Sequence, residues 1–382
     1  MTHRRAVFGP EHDEFRALVR EFLAREVAPH HARWEEEGLI DPAVYRAAAV
    51  QGVLAFAVPQ EYGGLGIDDF RYNAVVAEEL ARGRFSGPAL SLLNDVLAPY
   101  LLRLTSGEQR QRWLSGFASG DLTFAIAMTE PGTGSDLAGI RTSAHRDGDE
   151  WVINGQKTFI SNGILSDVVL VVCRTDPDAG HQGFSLIAVE RDTPGFERGR
   201  KLEKLGLRAQ DTAELFFADC LVPAGNLLGT EGHGFYHLME NLPTERLSIA
   251  VSAMAGARAT FTDALEYTKT RRAFGRPIGS FQANRFTLAE MATELDVAQV
   301  YVDQCLAWAV EGTLTAVDAA KAKWWATELH KSVVDRCLQL HGGYGYMLEY
   351  QVAKDYQDVR VSTIYGGTTE IMKELIGRDL GV

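Results

Sequence analysis

The feature that most constrains this chain is a change of hydrophobic period that happens twice in 382 residues. Up to about residue 120, apolar side chains recur in steps of three and four, as in Phe15, Leu18, Val19, Phe22, Leu23 and Val27. That spacing predicts amphipathic helices. Pro29 is expected to end the first of them. Asp41-Pro42 opens a second, as a cap followed by proline, and Gly52 closes it. Residues 70–81 and 89–104 read as two more, and Ser106 with Gln109 fits a capping box before another. From about residue 121 the pattern becomes short runs rich in β-branched and aromatic residues: 122–128, 151–153, 157–160, 168–173, 184–189 and 214–217. Asn154-Gly155 is a two-residue hairpin signal. These runs predict a small antiparallel barrel or sandwich. The helical period returns over 233–271, 281–312 and 315–340, with a shorter helix starting near Thr368. A chain this long suggests more than one domain. The divisions expected are 1–120 (helical), 121–230 (β) and 231–382 (helical).

Charge and cysteines narrow the function. The net charge of −13 speaks against nucleic acid, which needs a basic face. A phosphate-bearing small molecule held by a few local cations stays open. No apolar run reaches the roughly 20 residues that span a bilayer. The basic start Met1-Thr2-His3-Arg4-Arg5 leads into an acidic amphipathic helix without a signal-peptide core. Cys173, Cys220, Cys305 and Cys337 show no metal-binding spacing. They are expected to be reduced core thiols in a cytoplasmic protein, with no metal.

Four segments carry chemistry. Met128-Thr129-Glu130-Pro131-Gly132-Thr133-Gly134-Ser135-Asp136 follows a predicted strand, and such a turn can present backbone N–H groups to an anion. An ordinary connecting turn is the plain alternative. Leu238, Leu242, Glu245, Ile249 and Ser252 form one helical stripe, which places a carboxylate among apolar residues. Such a group pairs with a cation or has a raised pKa. A structural ion pair is the plain alternative. Pro243 should distort the same helix. Arg271-Arg272-Ala273-Phe274-Gly275 with Gln282 offers a cation, a ring and an amide to a phosphate-bearing ligand. A helix C-terminus also favours arginine through its dipole alone. Finally, Gln339-Leu340-His341-Gly342-Gly343 and Ile364-Tyr365-Gly366-Gly367-Thr368-Thr369-Glu370 sit at helix boundaries. There, glycines serve as caps or as bare backbone for a ligand. His341 reads as a hydrogen-bonded structural histidine.

In this order the segments resemble the acyl-CoA dehydrogenase family, and most of all its long-chain branch. Met128–Asp136 and the stretch Asn154-Gly155-Gln156-Lys157-Thr158-Phe159-Ile160-Ser161-Asn162-Gly163 resemble the family's two flavin segments. Leu242-Pro243-Thr244-Glu245-Arg246-Leu247 and the run from Ile364 to Ile376 resemble the long-chain motifs. The resemblance implies an N-terminal helical domain, a central antiparallel β-barrel and a C-terminal four-helix bundle. It also implies FAD and an acyl-CoA substrate, electron-transfer flavoprotein as acceptor, and a homotetramer whose neighbouring subunit completes the FAD site.

Carried over by resemblance, Ile126, Met128, Thr129, Gly134 and Ser135 line the flavin, with Ser135 also near the CoA portion. Phe159, Ile160 and Ser161 contact the isoalloxazine. Arg271, Phe274, Gln282, Gln339, Gly342 and Gly343 hold the pyrophosphate and adenosine of an adjacent subunit's FAD. Thr368, Thr369 and Glu370 cap the dinucleotide. Tyr236, Pro243, Thr244, Arg246, Gly366 and Gly367 face the substrate. Many relatives carry the catalytic glutamate directly after the loop tyrosine, where this chain has Gly366. The long-chain and isovaleryl branches carry it at the position of Glu245, so Glu245 is the expected base. The expected reaction is dehydrogenation of a medium- or long-chain acyl-CoA to the trans-2-enoyl-CoA. The flavin takes the hydride, and its ribityl hydroxyl and the Gly366 N–H stabilise the enolate. Branched, steroid or carrier-protein thioesters, and a flavin monooxygenase on the same fold, are the alternatives.

Overall fold

In a computed structural model describing residues 5–382, Pro29 does not end the first helix. The basic stretch 1–4 lies outside the described residues. Helix α1 (Pro10–Phe22) passes through one π turn, Leu23–Val27, into α2 (Ala28–Glu37). Proline lacks the N–H that would bond four residues back, and its ring crowds that carbonyl. Widening the preceding turn accommodates both effects. Next come α3 (Ala43–Val50), one residue later than its proline suggests, and α4 (Phe70–Gly83). Pro99 repeats the device: the π turn Leu92–Leu97 precedes α5 (Ala98–Leu104). The expected capping box opens α6 (Gly107–Ser119), with Ser106 accepting from the Gln109 N–H at 3.2 Å.

The middle of the chain forms one eight-stranded sheet. Its strands are β1 (Phe124–Ala127), β2 (Ser143–Asp147), β3 (Glu150–Ser161), β4 (Val168–Arg174), β5 (Phe184–Glu190), β6 (Phe196–Lys201), β7 (Thr212–Pro223) and β8 (Leu227–Leu228). The order is β6-β7-β3-β2-β4-β5-β8, with β1 beside β4. This corrects the expected antiparallel barrel. The sheet is open, and β1 and β2 both pair with β4 in parallel. Asn154-Gly155 is not a hairpin either. It is a bulge within the continuous strand β3. Gly155 has φ 150°, and a Cβ there would stand 2.5 Å from Thr142 Oγ1, so the glycine permits close approach of a neighbouring strand. The reversal lies at Gly148-Asp149, between β2 and β3. Strands β2 and β6 carry too many charges to show an apolar pattern.

β4 reads as continuous Val and Leu because both of its faces are buried. Leu170 and Val172 join the core under the N-terminal helices, and Val169, Val171 and Cys173 join a second core on the sheet's other face. A third core lies among α7 (Gly234–Thr270), α8 (Gln282–Glu311) and α9 (Ala316–His341). α10 (Gln351–Val359), which was not anticipated, and α11 (Thr369–Asp379) follow. Ala74 and Ala77 of α4 enter this third core beside Ala250, Ala253 and Ala257 of α7. The small side chains let the two helices approach closely. Buried Asp95 ties them together, accepting from Asn73 Nδ2 at 2.8 Å and from the Ser248 hydroxyl. All four cysteines are buried and unpaired. Among the described residues, no helix is long and apolar enough to cross a membrane.

Candidate active site

A cavity of about 430 Å³ lies where the sheet end meets α4 and α7. From the sheet come Ile126 of β1, Met128 and Thr129 just after it, and Phe159, Ile160 and Ser161 at the end of β3. From α7 comes Glu245, and from the turn before α11 come Tyr365 and Gly366. Ile126 and Glu245, 119 residues apart in sequence, thus line one cavity. The hydroxyls of Thr129 and Ser161 make no hydrogen bond among the described residues, and both are free for a ligand.

Glu245 Oε2 is buried and has no hydrogen-bond partner among the described residues. Burial raises the pKa of this carboxyl, because desolvation disfavours its charge, and the Arg246 and Lys323 cations only partly offset that. The ion pair weighed as the plain alternative is therefore not formed as a contact. The Arg246 guanidinium donates instead to Gly366 O at 3.4 Å, and the fully buried Lys323 ammonium donates to Gly367 O at 2.6 Å. Two cations on two helices thereby hold the glycine turn by its carbonyls. The Gly366 N–H makes no hydrogen bond among the described residues.

Gly366 has φ 61°, and a Cβ there would lie 2.3 Å from Ile249 Cδ1. A side chain there would have to push the Ile249 Cδ1 methyl aside and would sit in a left-handed backbone conformation. The turn can supply a backbone donor but not a carboxylate, and the carboxylate stands on the facing helix.

A second element fixes the flavin-segment side. Lys157, fully buried in β3, donates to Glu130 Oε1 at 2.9 Å and to Met128 O at 3.0 Å. Glu130 also accepts the N–H groups of Arg141 and Thr142 at 2.8 and 2.9 Å. Burial alone would raise the Glu130 pKa, but the hydrogen bonds from Thr142 and Lys157 hold it below the ordinary carboxylate range. The backbone at Met128 and Thr129 is set by this pair. Neither Lys157 nor Lys323 was singled out in the sequence, since an isolated lysine carries no local sign that it will be buried.

The other expected site residues lie elsewhere. Gly134 and Ser135 are exposed on the loop after β1, outside the cavity. Tyr236 is 41% exposed near the start of α7, and Pro243 and Thr244 do not line the cavity. Arg271, Gln339, Gly342 and Gly343 converge on a separate open cleft of about 740 Å³, with Tyr267 and Tyr344. A Cβ on Gly342 or Gly343 would meet nothing within 4 Å, so this backbone is open to a ligand. His341 stacks on Tyr267 with ring centres 4.1 Å apart, and its Nδ1 lies 2.8 Å from Cys337 O. Phe274 is 95% exposed and Gln282 is exposed, both outside the cleft. Thr368 caps α11 by accepting the Ile371 N–H at 3.3 Å, Thr369 donates to Glu328 at 2.9 Å, and Glu370 is exposed.

Three family models cover nearly the whole chain: the acyl-CoA dehydrogenase N-terminal domain over residues 9–121, the middle domain over 125–220 and the C-terminal domain over 232–381. The chain belongs to the acyl-CoA dehydrogenase family. It is 47% identical to the mitochondrial long-chain specific acyl-CoA dehydrogenase of Sus scrofa, over 98% of this chain and 88% of that protein. The crystal structure of an acyl-CoA dehydrogenase from Geobacillus kaustophilus superposes with a TM-score of 0.97 at 49% identity, covering 99% of this chain and 100% of that one. A glutaryl-CoA dehydrogenase from Mycobacterium smegmatis, solved in complex with FADH2, has a TM-score of 0.90 at 28% identity, covering 98% and 95%. Acyl-CoA dehydrogenases are FAD-dependent oxidoreductases, so the flavin-dependent dehydrogenation of acyl-CoA expected from the sequence is borne out at the level of the family. The free hydroxyls of Thr129 and Ser161 and the open Gly342–Gly343 backbone suit a polar dinucleotide cofactor.

Proposed function

We propose that Glu245 is the base that removes the α-proton of a medium- or long-chain acyl-CoA thioester. The observation that carries this reading is the unpartnered, buried carboxylate oxygen in the cavity that the two flavin segments share with Gly366. An α-proton next to a thioester is weakly acidic, and a positioned base contributes about 10²–10⁴-fold when its pKa nears the working pH. The raised pKa of Glu245 moves it in that direction. The free N–H of Gly366 polarises the thioester carbonyl and stabilises the enolate that develops there. Arg246 and Lys323 hold that N–H in place through the two turn carbonyls. FAD, when bound, supplies the acceptor for the hydride from the β-carbon. Thr129 and Ser161 would hold its ring system, and Arg271, Gln339, Gly342 and Gly343 a dinucleotide portion.

Three further parts of the reading rest on resemblance or on chemistry. Electron-transfer flavoprotein as acceptor follows the family. A homotetramer fits the position of the Arg271–Gly343 cleft apart from the Glu245 cavity, as a neighbour's cofactor would need. A reducing, cytoplasmic location fits four buried, unpaired cysteines.

The test is anaerobic flavin absorbance. Glu245→Gln should give a folded, yellow, FAD-loaded protein that no longer bleaches on adding acyl-CoA. Full bleaching by the variant would falsify the assignment.

A further inference from the structure

The cavity does not stop at the reacting carbons. Glu245, Ile249, Ser252, Gly256 and Thr260 all line it, one stripe along α7. From Glu245 to Thr260 that stripe runs about 22 Å, at ~1.5 Å per residue. This is the reach of an extended acyl chain of fatty-acid length. The stripe passes apolar wall at Leu80, Leu92 and Val96. Beyond that, beside Ala81 and Phe85, the lining also carries polar side chains. Arg84, Thr260, His330 and Asp355 line the far end.

The chemistry of that end is specific. Arg84 caps α4 with φ 57°, a left-handed conformation that glycine or asparagine usually fills. Its guanidinium reaches Asp355 Oδ1 at 3.3 Å and Asp263 Oδ2 at 2.5 Å. Thr260 donates its only hydroxyl proton to Asp355 at 2.5 Å, which leaves its lone pairs free. His330 makes no hydrogen bond at either ring nitrogen among the described residues. A Cβ on Gly256 would stand 2.6 Å from the His330 ring, so this glycine is what lets the imidazole lie against α7. Burial pulls the His330 pKa down to about 4, so the ring is neutral, with one donor and one acceptor. Arg84 faces two carboxylates, so this end holds no spare positive charge for an anionic terminus.

We propose that the acyl group this protein oxidises carries an uncharged hydroxyl at its far end, seated between His330 and Thr260, where it can donate to the Thr260 oxygen. The inference rests on the dehydrogenase reading above and names the substrate class for that site. A plain alkyl end leaves the neutral imidazole and the Thr260 oxygen without partners, and a site built to hydrogen-bond discriminates strongly against the analogue that lacks the group.

The experiment uses the FAD-loaded enzyme and three acyl-CoA series matched in chain length: plain alkyl, ω-hydroxy and ω-carboxy. Flavin reduction is followed anaerobically, and kcat/KM with an electron-accepting dye. At the length that reaches the far end, ω-hydroxy should exceed alkyl by about 10- to 100-fold, with ω-carboxy lowest. His330→Leu should bring the hydroxy-to-alkyl ratio close to one, and His330→Gln should keep most of the preference. Because the ratio is taken on one preparation, partial misfolding cancels, and Thr260→Val gives an independent loss of preference if His330→Leu does not fold. Equal rates for alkyl and hydroxy substrates, a preference for ω-carboxy, or a ratio unmoved by both His330→Leu and Thr260→Val overturns the proposal while leaving the dehydrogenase reading intact. Failure of every acyl-CoA to reduce the flavin overturns both.

Discussion

A Cβ on Gly366 would lie 3.6 Å from Glu245 Oε1, so the turn that could carry a base and the helix that does carry one are in direct apposition. The same Cβ would meet Ile249 Cδ1 at 2.3 Å, and the backbone sits at φ 61°. A carboxylate at both positions would bring two acidic groups into contact, which disfavours the charge on each.

Gly366→Ala should lose kcat/KM and also stability. Left-handed backbone costs a non-glycine residue about 1 kcal/mol, and overpacking adds roughly 1–3 kcal/mol. Thermal unfolding of the FAD-loaded protein measures the sum. An unchanged Tm with full activity would show that the turn is not constrained as described.

Lys323→Met should act in two ways that can be read separately. Gly367 O loses its donor, so kcat should fall by about 10-fold, the equivalent of ~1.4 kcal/mol. Glu245 also loses a cation that lowers its pKa. The acid limb of the kcat/KM profile, already above the ordinary carboxylate value of 4.5, should move to still higher pH. A limb that stays in place, or moves down, contradicts the electrostatic part.

Asp95 makes stability pH-dependent. Burial raises its pKa from 3.8 to about 7, despite hydrogen bonds from Ser248 and Asn73. Between those values the unfolded chain has released a proton that the native fold still holds. The native state therefore binds more protons, and stability falls as pH rises across the window. Asp95→Asn should flatten that decline. Urea unfolding at several pH values compares the two slopes, and parallel curves would remove Asp95 as the cause.

Lys157→Met should cost about 3 kcal/mol, because it leaves Glu130 as a buried carboxylate without its cation. It also frees the backbone at Met128, so FAD should dissociate more readily. The absorbance ratio of bound flavin to protein after gel filtration reports this. Full FAD retention would mean the pair serves stability alone.

The order helix, sheet, helix was legible in the sequence because it depends only on local period. The inward position of Glu245 was legible for the same reason, since Leu238, Leu242 and Ile249 place it on one stripe wherever the helix packs. Other features depended on what each segment met. Pro29 looked like a stop, yet a widened π turn carries the helix past it. Asn154-Gly155 looked like a reversal, yet Gly155 is needed for the approach of Thr142. The barrel became an open sheet because β1 and β2 share β4 as a parallel neighbour, a pairing no single strand encodes. Lys157, Lys323 and His330 are isolated polar residues in sequence, and only packing from distant segments removes them from water. Local sequence determined which segments are helices and strands and which face each buries, because covalent geometry and side-chain period act within a few residues. Tertiary structure alone decided which buried polar groups meet, because their desolvation and their partners come from other elements, 27 residues away for Lys157 and Glu130 and 153 for Ser248 and Asp95.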